Sequence, residues 1–399
     1  MIKQKIIISM FVLCMVTSLL HSINATSESI EPVYVTDLTT SKVSSKSIKL
    51  SWDSSQDAYV KFYYIMRRNT KDSKGTGEWK TIAKIESDDI AGNSLNLYTD
   101  TLKVSVPQQY EYKVCTLSKD EKVDTRNQEY EDETNKYAVL GTNIKICIDP
   151  GHYGSRNNNY RLKGGNGKYP YSEAKFTLKI GKVLKKELKR TYGIDSYMTR
   201  TDSKISLKYK GKAYTNANLD QNNIAIRGYM AKIKECDFFI SLHTNMAGRP
   251  KKTWNQPKSL NKVYVFVNSV ALKSSRGMKI ADYIGSELTI CNKAAGIQNA
   301  RFVTRSKNSA ANYANLINDI SNGNGTVVHH RGSSGKDYYG VLRGASEKGI
   351  RGIIVEHAFH DTQVMRKHAN ASSDLCKNWG ICDADGIARG FGFINVGRF

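Results

Sequence analysis

"IKICIDPGHYG", residues 144–154, places isoleucine at 144, 146 and 148 and then breaks the pattern at Asp149, Pro150 and Gly151 before reaching His152. Alternation with a period of two predicts a strand, and the Pro-Gly step ends it, so His152 is predicted to stand just past the strand's carboxyl end. In open α/β sheets that edge is where ligands bind. The chain beyond it keeps alternating between two periodicities. "SEAKFTLKIGKVLKKELKRTYG" predicts a helix whose apolar face is Phe176, Ile180, Val183, Leu184 and Leu188, with Ser172 as N-cap and Gly193 as its stop. "DSYMTR" is strand-like, "NIAIRGYMAKIKEC" helical, "DFFISLH" and "KVYVFVN" are strands, "SSRGMKIADYIGSELTIC" is a helix and "GIIVEHAF" a final strand. Strands alternating with helices imply βαβ units, so the C-terminal part is predicted to be an α/β domain with a mainly parallel sheet flanked by helices. Residues 299–345, rich in Asn, Ser, Gly and Arg, are expected to hold long loops.

The N-terminal part reads differently. "SIKLSWD", "VKFYYIMRR", "EWKTIAKI", "SLNLYTD" and "YEYKVCTL" are short alternating runs separated by polar turns, which predicts a small all-β sandwich over 31–135. "NQEYEDETNK", residues 127–136, is acidic and poor in apolar residues, as a linker is. The boundaries are placed at 136–143 for the linker and 144–399 for the α/β domain. Residues 1–25 belong to neither: Lys3 and Lys5 precede the apolar run Ile6 to Leu20, and Ala25 offers a small residue for cleavage, the pattern of a secretory signal peptide. That run is about 15 residues, short of the roughly 20 that span a bilayer, and no later stretch is long and apolar enough, so the mature protein is expected to lack a membrane span and to be secreted.

Charge separates the two parts as well. The chain carries a formal net charge of +23, of which residues 26–143 contribute −3 and residues 144–399 contribute +24. A one-sign field on one domain concentrates a polyanionic partner. In an exported chain that partner is expected to be an anionic wall polymer; no nucleic-acid motif accompanies the charge, so nucleic acid is not expected. Beyond residue 25 there are six cysteines, of which Cys376 and Cys382 in "LCKNWGIC" are the close pair and could close a small loop in an oxidising compartment. No C-x-x-C pair suggests a thiolate zinc site.

Four polar residues fall at element boundaries: His152 after the first strand, Glu173 at the head of the long helix, His243 at the end of "DFFISLH" and Glu356 at the end of "GIIVE". A parallel sheet would put His152, His243 and Glu356 along one carboxyl edge. Two imidazoles and one carboxylate hold catalytic zinc in an open site with a position left for water, and a carboxylate off the metal can move protons. That is the chemistry of amide hydrolysis. Each residue also has a plain structural explanation, Glu173 as a helix N-terminal acid favoured by the macrodipole for example. His357 and His360 in "HAFH" compete for the same metal.

"IKICIDPGHYG", the glutamate of "SEAKFTLKIGKVLKKEL", "YMTRTD", "IAIRGYMAKIKECDFFISLHTN" and "IIVEHAF" resemble, in this order, the motifs of zinc-dependent N-acetylmuramoyl-L-alanine amidases of the family-3 type. The resemblance covers residues 144–399. It implies zinc ligands His152, Glu173 and His243, with Glu356 as the catalytic acid/base, and a peptidoglycan substrate. Asn245 and Arg227 also stand at family-like positions, with no direct catalytic role implied. Tyr153, the "VEHAFH" ending and the long loops depart from the usual pattern. The N-terminal "SIKLSWDS", "YIMRR", "EWKTI" and "LKVSVPQQYEYKV" resemble a fibronectin type III domain, which implies Trp52 as core aromatic and Tyr110 as corner tyrosine. Together these imply a secreted, wall-associated hydrolase. Two other expectations stay open: a zinc peptidase acting within the stem peptide, and a non-enzymatic wall-binding or adhesive protein.

Overall fold

The computed structural model describes residues 35–395 except 54–58, 71–76, 88–94, 128–137, 155–160, 164–169, 248–253, 255, 306–309, 313–322 and 371–372. The signal peptide expected at 1–25 and most of the acidic run at 127–136 lie outside the described residues. The first seven strands are β1 (Thr36–Ser44), β2 (Ser47–Asp53), β3 (Val60–Asn69), β4 (Lys80–Glu86), β5 (Leu95–Thr101), β6 (Gln109–Ser118) and β7 (Val139–Thr142). They form two antiparallel sheets, β1-β2-β5 and β4-β3-β6-β7. The buried alternation of β2, with Ile48, Leu50 and Trp52 fully inside, packs against Tyr63, Ile65, Tyr112 and Val114 of the facing sheet. Trp52 is thus a core aromatic. Tyr110 gives its hydroxyl hydrogen to Gln108 Oε1 at 3.1 Å, a side chain two residues upstream rather than a backbone carbonyl.

One part of the expected linker is strand. Val139–Thr142 pairs with β6, completing the four-stranded sheet, and Asn143 then leads directly into the next domain. The acidic residues before it hid its short apolar run. The two domains therefore meet over buried polar contacts. Gln109, 1% exposed, donates to the carbonyls of Tyr192 and Ile394 at 3.2 Å each and accepts from Ile394 N at 3.0 Å. Lys42 Nζ reaches Asp237 Oδ2 at 2.8 Å and the Glu235 carbonyl at 3.0 Å.

The second domain continues with β8 (Lys145–Pro150), β9 (Arg161–Leu162), β10 (Tyr171–Ser172), α1 (Glu173–Tyr192), β11 (Asp195–Met198), β12 (Ser206–Tyr209), β13 (Lys212–Thr215), α2 (Ala225–Ile233), β14 (Phe238–Asn245), β15 (Tyr264–Val267), α3 (Ser269–Leu272), α4 (Ser275–Ala294), β16 (Phe302–Val303), β17 (Ala311–Asn312), β18 (Gly325–His329), α5 (Gly340–Glu347), β19 (Arg351–Phe359) and α6 (Ser373–Phe391). Its main sheet runs β11-β8-β14-β19-β15-β18-β16, with β17 also on β18. β11, β8, β14 and β19 are mutually parallel, and β15 is antiparallel to β19. Helices α1, α4 and α6 cover one face, α2 and α5 the other, each burying its own apolar cluster. The sheet is buried on both sides, which is why its strands read as near-continuous apolar runs.

Helix α1 ends as predicted. Gly193 adopts φ +69°, and its N–H caps Lys189 O. The same glycine touches β7, since a Cβ there would lie 2.5 Å from the Leu140 carbonyl carbon. Ser172 occupies the N-cap position in extended conformation, but its side chain makes no capping bond. Cys376 and Cys382 both lie on α6, six residues and about 240° apart around the helix, so they point to different sides and cannot bridge. All six described cysteines are free. Among the described residues no helix is long and apolar enough to cross a membrane.

Candidate functional site

The parallel register brings the predicted residues to one edge. His243 on β14 stands beside Glu356 on β19, and Leu242 stands beside Pro150 of β8, so His152 emerges next to them. Gly151 makes this approach possible. A Cβ there would lie 2.3 Å from His243 Cε1 and 2.5 Å from the Leu242 carbonyl oxygen, so the position must be glycine for the ring of His243 to fold over the turn. His152 itself takes φ +52°, an uncommon conformation for a residue with a side chain. Strained backbone of this kind clusters at functional sites because surrounding contacts must hold it.

Those contacts come from beneath the turn. Asp149 is fully buried and accepts from Arg227 Nε at 2.7 Å, Thr199 Oγ1 at 2.5 Å and Ser241 Oγ at 2.8 Å. Burial alone would raise its carboxyl, but the Arg227 charge and these donors hold it below the usual carboxylate range. Arg227 and Arg200 both donate to the Pro150 carbonyl, at 2.6 Å and 2.9 Å. Arg200 goes on to the carbonyls of Gly151 (3.1 Å) and Ala174 (2.7 Å), tying the turn to the first turn of α1. Burial pushes the Arg200 guanidinium down to about 9. Asp149, Arg200 and Thr177, whose hydroxyl donates to the Gly151 carbonyl at 2.7 Å, are supports that sequence reading missed. Asp149 looked like an ordinary turn residue. The signal was an acid inside an apolar strand, which needs a buried cation elsewhere in the chain.

Glu173, 1% exposed, stands between the two imidazoles. Its Oε2 lies 3.1 Å from His152 Nε2, and its Oε1 lies 3.1 Å from His243 Nδ1 and accepts from Thr244 N at 3.0 Å. The two rings meet edge to face with centroids 4.9 Å apart. Burial would raise the Glu173 carboxyl, yet both imidazoles outweigh it and hold it well below the usual range. Glu356 behaves oppositely: burial, reinforced by Glu173 and only partly offset by His243, raises it to about 7.

The residue types and their spacing fit a divalent metal. Ligand atoms of His152, Glu173 and His243 all lie within 4.8 Å of one another, and among the described residues no other such group occurs. Glu173 Oε2 is buried with the His152 imidazole beside it and no backbone or hydroxyl donor, an oxygen left facing the space between the rings. Glu356 Oε2 is likewise buried and unbonded. The competing histidines are engaged elsewhere. Strand alternation turns His357 to the opposite face from Glu356, where it contacts the His243 carbonyl at 2.9 Å and Asp383 Oδ2 at 2.9 Å. His360 is fully buried and stacks on Tyr171. Tyr153, one of the departures from the family pattern, is 5% exposed and donates to the Leu219 carbonyl.

Above this edge opens a cleft of about 880 Å³. Asp220, Gln221, Asn222, Asn245, Tyr338 and Tyr339 line it together with the four predicted residues. Two imidazoles and two carboxylates thus meet at the carboxyl edge of a doubly covered sheet, a donor set suited to hydrolytic chemistry. A finer placement comes from likeness to known proteins. The model of the family Amidase 3, N-acetylmuramoyl-L-alanine amidase, matches residues 146–389, and the chain belongs to that family.

Solved structures similar to the chain include Cwp6 from Clostridium difficile, at 22% identity and a TM-score of 0.40 over 62% of this chain and 29% of that one. The catalytic domain of CwlV, an N-acetylmuramoyl-L-alanine amidase from Bacillus (Paenibacillus) polymyxa var. colistinus, is 14% identical, with a TM-score of 0.38 over 62% of this chain and 97% of that one. An N-acetylmuramoyl-L-alanine amidase from Clostridium difficile 630 is 17% identical, with a TM-score of 0.36 over 62% and 94%. The fn3 domain of human collagen alpha-1(XX) chain is 15% identical, with a TM-score of 0.18 over 30% of this chain and 89% of that one. The chain spans less than a third of the length of Cwp6. No curated protein matches it.

Proposed function

We propose that the chain is an exported peptidoglycan hydrolase that cleaves the amide between N-acetylmuramic acid and the L-alanine of the stem peptide. The observation that carries the reading is the meeting of His152, Glu173 and His243, their ligand atoms within 4.8 Å of one another, beside a carboxyl raised to about 7. Membership of the amidase family supports the substrate class. In this reading His152, Glu173 and His243 hold zinc (Zn2+), and Glu356 is the acid/base. Zinc held there would supply Lewis acidity for the scissile carbonyl and for water.

The remaining chemistry falls to the chain. Glu356, buried at the edge beside His243, takes a proton from the attacking water and returns it to the leaving nitrogen. Glu173 stays anionic throughout, and Thr244 N fixes its orientation. Arg200 and Arg227 keep the strained His152 turn in place. The cleft walls seat the glycan and peptide on either side of the amide. The sandwich, fibronectin type III-like in this reading, positions the enzyme on the wall, and the +24 charge of residues 144–399 draws it to anionic wall polymers.

Digestion of purified peptidoglycan tests the reaction. New L-alanine amino termini without new reducing sugar ends are expected. New amino termini at a position within the stem peptide would make the chain a peptidase, and binding without products would make it a wall-binding protein; either outcome overturns the proposal.

A further inference from the structure

Helices α4 and α6 run antiparallel and touch through small residues. A Cβ at Gly390 would lie 2.1 Å from Ile280, and one at Gly386 would lie 2.5 Å from Ile284. The missing side chains draw the two backbones together. Further along the same seam Trp379 Nε1 donates to Asn292 Oδ1 at 2.7 Å. Between these contacts Cys382 shares the helical stripe of Trp379 and Gly386, and Cys291 that of Ile284, so the two thiols face each other across the seam, and each shifts the other's ionisation. Both are half-buried at the rim of the core, whereas Cys115, Cys147, Cys236 and Cys376 are buried.

We propose that Cys291 and Cys382 are a modification site, an intramolecular disulfide that staples α4 to α6 and is made by exchange with a small organic disulfide. A bridge needs Cα atoms closer than two ordinary helix surfaces allow, and the glycine seam provides that approach. The reaction balances in two exchanges. The Cys291 thiolate attacks one sulfur of the small disulfide and expels its other half as a thiolate. The Cys382 thiolate then attacks Cys291 Sγ and expels the remaining half. The protein loses two electrons and two protons, and the small disulfide becomes two thiols.

The staple lies beside the catalytic edge in chain terms. Cys382 precedes Asp383, which contacts His357 Nε2 at 2.9 Å, and His357 Nδ1 contacts the His243 carbonyl at 2.9 Å. Asn292, next to Cys291, donates to the His357 carbonyl at 2.8 Å. Closing the bridge encloses residues 291–382, which include Glu356, and a long closed loop restricts the unfolded chain. The inference rests on the proposed function only for the oxidising surroundings that export supplies.

The full chain, equilibrated in glutathione buffers from reduced to oxidised, is digested without reduction and its peptides are mapped by mass. A Cys291–Cys382 peptide that accumulates with oxidation is expected, with a Tm rise of about 5 °C or more. Cys291→Ser and Cys382→Ser should each abolish both, while Cys376→Ser abolishes neither. Glutathione adducts alone, free thiols at Cys291 and Cys382 in the oxidised buffer, or a Cys376–Cys382 link would overturn the inference. The mapping on the unmutated chain needs neither a variant nor turnover, so its failure is distinct from a failure of the amidase reading.

Discussion

Glu356 has two properties that a substitution separates. Its carboxyl is raised to about 7 by burial, against an ordinary value of 4.5, so from about pH 4.5 to pH 7 the folded metal-free chain keeps a proton that the unfolded chain has released. Stability must therefore fall as pH rises through that window. In chelator-treated protein Glu356→Gln should raise Tm at pH 8 and leave it nearly unchanged at pH 4, as thermal unfolding at the two pH values will read. The same variant keeps all three candidate ligands, so metal content should stay near one per chain while product release falls by about 10²-fold or more. Glu173 has the opposite sign: its lowered carboxyl contributes stability at neutral pH that is lost as pH falls below the ordinary carboxylate range. At Gly151 the constraint is spatial. Gly151→Ala would push a methyl group against His243 and a backbone oxygen that cannot yield, and metal affinity should drop about 10- to 100-fold, measured by competition with a chromophoric chelator.

The turn that follows β8 combines local pattern with distant support. The alternation of Ile144, Ile146 and Ile148, the Pro-Gly break and the apolar stripe of α1 were legible because period and turn chemistry are local properties. What held the turn was not. Arg200 and Arg227 come from 50 and 78 residues beyond Pro150 and Asp149, and local pattern carries no record of such pairing. For the same reason the direction of β15 was hidden, since an apolar run reads alike parallel or antiparallel, and so was β7, four residues behind an acidic stretch. The separation of Glu356 from His357 was implicit in strand alternation, which assigns neighbours to opposite faces. Arg227→Met leaves Asp149 buried beside two hydroxyls without its cation, so a loss of about 3–5 kcal/mol is expected from denaturant titration. The loss should also loosen the His152 turn, because the same guanidinium holds the Pro150 carbonyl.

Across the whole molecule, the sandwich is built onto the amino-terminal ends of the sheet's strands, opposite the edge that carries the candidate site. Lys42 reaches the residues that precede β14, and Gln109 clamps the end of α1 to the segment after α6. The sandwich so placed leaves the cleft open while extending the enzyme in the other direction. Gln109→Leu strands buried carbonyl and amide groups at this joint, at a cost of about 1–3 kcal/mol, and should split a single unfolding transition into two in calorimetry. Whether His152, Glu173, His243 and Glu356 form one hydrolytic site is decided by metal analysis joined to product analysis on peptidoglycan. One zinc per chain, activity abolished by a chelator and restored by zinc, and new L-alanine amino termini as the product are expected. A chain that cleaves this amide at full rate with the metal stripped, or with His152 and His243 both replaced by alanine, would contradict this expectation.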